Sequence, residues 1–147
     1  QELASMGAKV LHPRCLTPAK HMDLPVEVRN TMDPDGGFTS IPAHSGVLEP
    51  LIYGVACLRK TTLMTLSSLD MWGASGFLSK FFAPFHEYGV SVDQVATSQS
   101  SVTVTLDHIP GGVTGEAMTR LQDALAPLGT VKVVHPCAVV SVIGHRL

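Results

Sequence analysis

Ser101-Val102-Thr103-Val104-Thr105-Leu106-Asp107 is the stretch from which the fold is read. Successive side chains of a β-strand point to opposite faces. Val102, Val104 and Leu106 therefore share one face, and Thr103, Thr105 and Asp107 the other, which predicts a strand with one buried and one polar side. Working upstream, residues 90–96 read as the preceding strand. Before it, Phe77, Leu78, Phe81, Phe82 and Phe85 recur at the spacing that lines one face of a helix. Ser75 is its expected N-cap and Gly89 its expected C′ residue. Pro84 lies inside that helix and predicts a kink or a displaced last turn, because proline removes a hydrogen bond and crowds the turn before it. Downstream, residues 108–112 read as a loop. Met118, Leu121, Leu125 and Leu128 make a second amphipathic helix, with Thr114 as its cap and Gly129 as its stop.

Residues 62–69 and 131–134 read as strands on either side, so residues 62–135 predict the order β-α-β-β-α-β. That is the ferredoxin-like arrangement of the α+β class, with two helices on one face of an antiparallel sheet. Strands at 51–58 and 138–143 flank this unit and read as pieces of a second, incomplete unit. Val26-Glu27-Val28 alternates after Pro25 and predicts a short strand. Asp33-Pro34-Asp35-Gly36-Gly37, continuing through Pro42, Gly46 and Pro50, reads as turn and linker. The expected organisation is a short α/β segment at 1–32, a linker at 33–50, a flanking strand at 51–61, the intact unit at 62–136, and the start of the second unit at 137–147.

Composition narrows the function classes. The chain has 147 residues, which predicts one domain or two small ones. Ten basic against twelve acidic residues leave a net charge of −2, the wrong balance for a nucleic-acid binder. An apolar share of 45% against 15% charged residues is enough for a real core. No apolar run approaches the ~20 residues of a membrane helix, and no secretory signal pattern opens the chain. The first residue is Gln1, from which a processed or excised chain is expected. Cys15, Cys57 and Cys137 are three and far apart, which fits neither a disulfide framework nor a zinc site and points to a reducing cytoplasm.

Signatures of catalysis are missing: there is no Gly-x-Gly-x-x-Gly, no phosphate loop, no His-Glu-x-x-His and no Gly-x-Ser-x-Gly. His135-Pro136-Cys137 is a close His/Cys pair, and two ligands do not make a metal site. The turn Gly73-Ala74-Ser75-Gly76 leads from a strand into a helix N-terminus, whose free N–H groups favour a carboxylate. Asp93 follows in the next strand. Together they could hold both ends of an amino-acid zwitterion, although on spacing alone the plainer reading is a tight turn and a solvated aspartate.

Two blocks carry a family resemblance. Gly7-Ala8-Lys9-Val10-Leu11-His12-Pro13-Arg14 followed by Pro25-Val26-Glu27-Val28-Arg29-Asn30-Thr31 resembles the end of the catalytic domain of aspartate kinases. Gly76-Phe77-Leu78 followed by Val90-Ser91-Val92-Asp93-Gln94-Val95-Ala96-Thr97-Ser98 resembles the first ACT domain of the same enzymes, most similarly to the lysine-sensitive bacterial and plant type. The resemblance implies a parent enzyme that phosphorylates the side-chain carboxylate of L-aspartate with MgATP. It further implies a pair of ACT domains, the first inserted after one strand of the second, and a feedback amino acid bound where ACT units of two subunits meet. Lys9 matches the family's ATP-contacting lysine. Met71, Ala74, Ser75, Gly76, Phe77 and Leu78 match the loop and helix start around the effector, Val92 and Asp93 its strand residues, and Thr97 and Ser98 its far end. The implied chain is a regulatory fragment with no catalytic residue, cofactor or metal of its own, a homodimer through its ACT units with L-lysine as effector, and cytoplasmic or plastidic. The alternatives are a parent fused to homoserine dehydrogenase or diaminopimelate decarboxylase, and a non-enzymatic ACT-type sensor. The chain departs from the family pattern at Gln99-Ser100-Ser101, where Glu-Val-Ser is usual, at Pro84, at Ala74, and in the loosely matching turn Gly36-Gly37-Phe38-Thr39.

Overall fold

A computed structural model describes residues 11–44 and 52–144 of the chain. The described residues fall into two compact units, 11–44 with 52–58 and 140–144, and 59–139.

In the first unit, helix α1 spans Pro13–His21. Its N-cap His12 accepts the Arg14 N–H through Nδ1 at 3.2 Å, and Pro13 occupies the first helical position, where a missing N–H costs nothing. Lys20 and His21 stand in the last turn, where cations suit the helix dipole. Strand β1, Val26–Val28, pairs antiparallel with β2, Thr39–Ile41, placing Val26 opposite Ile41. Part of the stretch read as linker is therefore the second arm of a hairpin. Arg29 organises its connection: the guanidinium donates to the Pro34 carbonyl at 2.9 Å, pairs with Glu27, and lies 4.3 Å from the centroid of the Phe38 ring. Glycine and proline content marked these residues as a turn, but pairing of three-residue strands depends on contacts that composition does not encode.

The second unit is built around one pairing. Strand β3, Ile52–Ser67, enters this unit at residue 59, and its residues 62–67 run antiparallel to strand β5, Ser101–His108, with Met64 opposite Val104 and Leu66 opposite Val102. Strand β4, Ser91–Thr97, joins the outer side of β5, and β6, Thr130–Gly144, the outer side of β3, in the order β4-β5-β3-β6. Two strands each were expected at 51–69 and 131–143; one long strand occupies each stretch. Lys60, at φ +63, is absorbed within β3 without ending it. Pro136 is tolerated because β6 lies at a sheet edge, where a missing N–H donor is least costly. The peptide bond preceding it is cis.

Helices α2, Phe77–Glu87, and α3, Glu116–Leu125, cover one sheet face. Phe77, Phe81 and Phe85 from α2 and Met118, Leu121 and Leu125 from α3 are buried with Met64, Leu66, Val102, Val104 and Leu106 in a single cluster. The Phe81 ring meets Phe82 edge-on at 4.9 Å and Phe85 at 5.1 Å. The opposite face carries hydroxyls, including Thr65 and Thr103 in mutual hydrogen bond at 3.0 Å.

Helix ends correct the expected caps. The N-cap of α2 is Gly76, in the left-handed region at φ +79, rather than Ser75. That of α3 is Gly115 rather than Thr114. A Cβ on Gly115 would stand 2.8 Å from the Gly111 carbonyl oxygen, so close passage of the chain there selects glycine. Pro84 does not displace the last turn of α2. The hydrogen bond it forfeits is to the carbonyl of Lys80, an exposed residue, and the helix closes beyond it. Gly89 at φ +67 donates to His86 O at 3.3 Å and Val90 to Phe85 O at 2.9 Å, the paired bonds of a Schellman ending. A run of 3-10 helix, Ala126–Leu128, extends α3 to Gly129.

Phe81 is fully buried at the centre of the cluster. Phe81→Ala is expected to lower unfolding free energy by about 3–5 kcal/mol, measured by urea denaturation of the 147-residue chain.

Candidate functional site

Of the predicted effector residues, Met71 to Leu78 follow the end of β3 and Thr97 and Ser98 stand at the end of β4, at one end of the sheet, whereas Val92 and Asp93 lie near the start of β4. Ser67 pairs with Ser101 and Thr97 with Val102, so both strands terminate against the start of β5. Two backbone bonds seal this end: Ser68 N–H donates to Ser100 O at 2.9 Å, and Ser98 N–H to Ser101 O at 2.8 Å. A Cβ on Gly129 would collide with Ser67 O, so the turn into β6 also passes tightly here.

From Ser68 the chain enters a 3-10 turn, Leu69–Met71, and then the glycine-bracketed turn. Ala74 N–H donates to Met71 O and Phe77 N–H to Ala74 O, both at 3.3 Å. Gly73 at φ +67 and Gly76 at φ +79 hold conformations that other residues resist. The first bond along α2 runs from Lys80 N–H to Gly76 O, and no hydrogen-bond acceptor within the described residues meets the N–H groups of Leu78 or Ser79. No acidic side chain stands in the first turn to compensate them. The helix start thus presents free donors and the positive end of its dipole to solvent, a setting suited to a carboxylate.

Strand β4 contributes Val92 and Asp93. Val92 pairs with Leu106 but Val95 with Val104, so Asp93 and Gln94 together oppose the single residue Thr105. This is a β-bulge on an edge strand, and Gln94 N–H bonds the Thr105 hydroxyl at 2.9 Å. A second register shift precedes Val92. Met71, Phe77 and Val92, the apolar members of the predicted set, all belong to or pack against the one core cluster, which ties the loop and the edge strand to the same body. Ala74, Ser75, Gly76, Asp93, Thr97 and Ser98 are exposed, as is Leu78 at 41%. The Ser98 hydroxyl is already engaged with Ser101 Oγ at 2.7 Å and Ser100 N–H at 3.3 Å, so it shapes the β4–β5 turn. Lys9, the predicted ATP contact, lies outside the described residues.

Sequence reasoning missed Thr105 and the bulge. Thr105 sits in an alternating strand and reads as one more polar-face residue; only the register between β4 and β5 reveals its role. A surface cleft of about 420 Å³ in the same unit, lined by Glu87, Tyr88, Glu116 and Arg120 among others, includes no predicted residue. Its charged groups include the Glu116–Arg120 pair of one helix face. Within the described residues there is no cluster of three or more potential metal ligands, and no helix is long and apolar enough to cross a membrane.

Comparison with known proteins agrees with this architecture. Over 99% of its length the chain is 38% identical to the lysine-sensitive aspartokinase 3 of Escherichia coli, covering 33% of that protein. The chain is an aspartokinase homologue. It is also 34% identical, over 98% of its length, to the chloroplastic aspartokinase 2 of Arabidopsis thaliana, covering 27% of it. The chain therefore spans about a quarter to a third of the length of these relatives. A bifunctional aspartokinase/homoserine dehydrogenase of Zea mays is 28% identical over 99% of the chain and 17% of its own length. Among solved structures, E. coli aspartokinase III in complex with lysine and aspartate, in the T-state, superposes with a TM-score of 0.77 at 39% identity, over 97% of this chain and 32% of that one. The same enzyme with aspartate and ADP, in the R-state, gives 0.79 at 38% identity, over 99% and 33%. No family model matches the chain.

The cap assignment yields a paired test. Gly76→Ala, forced into the left-handed region, is expected to cost about 1–2 kcal/mol. Ser75→Ala, which removes no capping bond, is expected to stay within about 0.5 kcal/mol of the parent chain in the same urea titration.

Proposed function

We propose that this chain is the regulatory part of an aspartokinase and that it binds a feedback amino acid, L-lysine, between the ferredoxin-like units of two copies. The observation that carries this reading is the helix start at Gly76, with its left-handed glycine and with Leu78 and Ser79 N–H groups that meet no acceptor among the described residues. The α-carboxylate of the effector takes those donors. Asp93, projecting from the bulged edge strand, takes an ammonium group through a charge-assisted bond. Met71, Ala74, Ser75, Phe77, Leu78 and Val92 line the ligand, and Thr97 and Ser98 bound its far end. Likeness to a lysine-bound aspartokinase over nearly the whole chain supports lysine as the effector.

In this reading residues 1–32 are the end of a kinase domain, 33–50 a connection, 62–136 the first ACT unit, and 51–61 and 137–147 parts of the second. The parent enzyme transfers phosphate from MgATP to the side-chain carboxylate of L-aspartate, with Lys9 near the nucleotide, in the cytoplasm or a plastid. The present chain has no such activity alone. Regulation follows if lysine binds the inactive state of the parent more tightly than the active one, since only differential affinity shifts an equilibrium. The relatedness to a bifunctional enzyme keeps a fused parent as a second reading.

Calorimetric titration tests the effector assignment, with L-threonine and L-methionine as comparisons. Trp72 is the single tryptophan, 77% exposed beside the glycine turn, and gives a fluorescence readout of the same event. Saturable binding of lysine is expected, and Asp93→Ala should weaken it by about tenfold or more. Binding of threonine alone would change the effector. Absence of binding by all three, in a folded and dimeric chain, would overturn the proposal.

A further inference from the structure

Asp93 is held where it is by an unusual contact. Across a regular antiparallel ladder each inward N–H meets a main-chain carbonyl of its neighbour. At Gln94 the acceptor is instead the side-chain oxygen of Thr105, at 2.9 Å. The contact lies inside the bulge, where Asp93 and Gln94 share one opposing residue. Thr105 is only 5% exposed, so its hydroxyl occupies a site that water reaches poorly. An inward N–H without an acceptor there is costly, and the hydroxyl removes that cost. Bulges re-aim side chains and twist the bulged strand. Without the hydroxyl, β4 has reason to slip back toward a regular register, which would reverse the faces of the residues beyond the slip.

We propose that Thr105 is a positioning residue for the effector site, pinning the β4 bulge through Gln94 N–H so that Asp93 projects from the sheet edge. The inference deepens the effector reading above and rests on it. Thr105 touches no ligand in this scheme; it acts through the backbone of Gln94. A natural control lies two residues away on the same polar face: the Thr103 hydroxyl bonds Thr65 rather than β4.

The test uses the 147-residue chain with Thr105→Val, which keeps the shape and loses the hydroxyl, Thr105→Ser, which keeps the hydroxyl, and the control Thr103→Val. Amide hydrogen exchange at Gln94 reads the pin without any ligand. It is expected to quicken by roughly tenfold or more in Thr105→Val and to stay near the parent rate in the other two. Lysine affinity, by calorimetry, is expected to fall about five- to tenfold in Thr105→Val and to be retained in Thr105→Ser and Thr103→Val. Unchanged Gln94 exchange in Thr105→Val overturns the proposal. So does faster exchange with unchanged lysine affinity, and so does an equal loss in Thr103→Val, which would mark general weakening of the sheet. If the parent chain itself binds no lysine, the effector reading has failed, and the exchange rates still report whether Thr105 holds the bulge. Should Thr105→Val not fold, loss of affinity in a folded Thr105→Ser overturns the proposal and retention supports it.

Discussion

The antiparallel pairing of β3 with β5 is the contact on which the second unit depends. It sets Met64 against Val104 and Leu66 against Val102, a strip of apolar side chains on one face of the sheet. Both helices bury their apolar stripes on that strip, Phe77, Phe81 and Phe85 from one and Met118, Leu121 and Leu125 from the other. A one-residue slip in this pairing would turn threonines toward the helices and valines toward solvent, so the hydrophobic pattern strongly specifies the register. The outer strands attach to this central pair and are less constrained, which is why the bulge occurs in β4.

The same arrangement determines where ligand chemistry is available. Strand ends and helix starts are where backbone donors run out of partners, and β3 delivers the chain to the start of α2 through a turn that two left-handed glycines permit. The β4–β5 turn closes over the end of β3 through Ser68 and Ser100. Polar groups around this end remain exposed while the apolar residues between them are anchored in the core.

Much of this was legible in the residue pattern. The alternation at 101–107, the phenylalanine stripe of α2 and the leucine stripe of α3 each found the face and element they imply, because burial on one side of a sheet imposes a period of two and burial of a helix a period near 3.6. Local signals were weaker guides. Ser75 and Thr114 have good capping side chains, yet the caps are Gly76 and Gly115, since a left-handed conformation and a close backbone passage outrank a side-chain hydrogen bond. Arg59-Lys60 and His135-Pro136 read as strand breaks, but neighbouring strands carry β3 and β6 across them. The hairpin arm at 39–41 is too short to show a period at all.

Of the site, the glycine-bracketed turn and the helix it opens could be read directly, because glycine spacing and apolar periodicity are properties of a single segment. What the sequence by itself determined about this protein is therefore the two helices and the alternating strands of the unit read at 62–135, their order β-α-β-β-α-β and the buried face of each. Register between strands was left to the tertiary structure, and with it the bulge that sets Asp93 and Gln94 against Thr105. The reason is physical: burial patterns are local and repeat along one chain segment, whereas register and bulges depend on which residue of a distant strand supplies each hydrogen-bond partner.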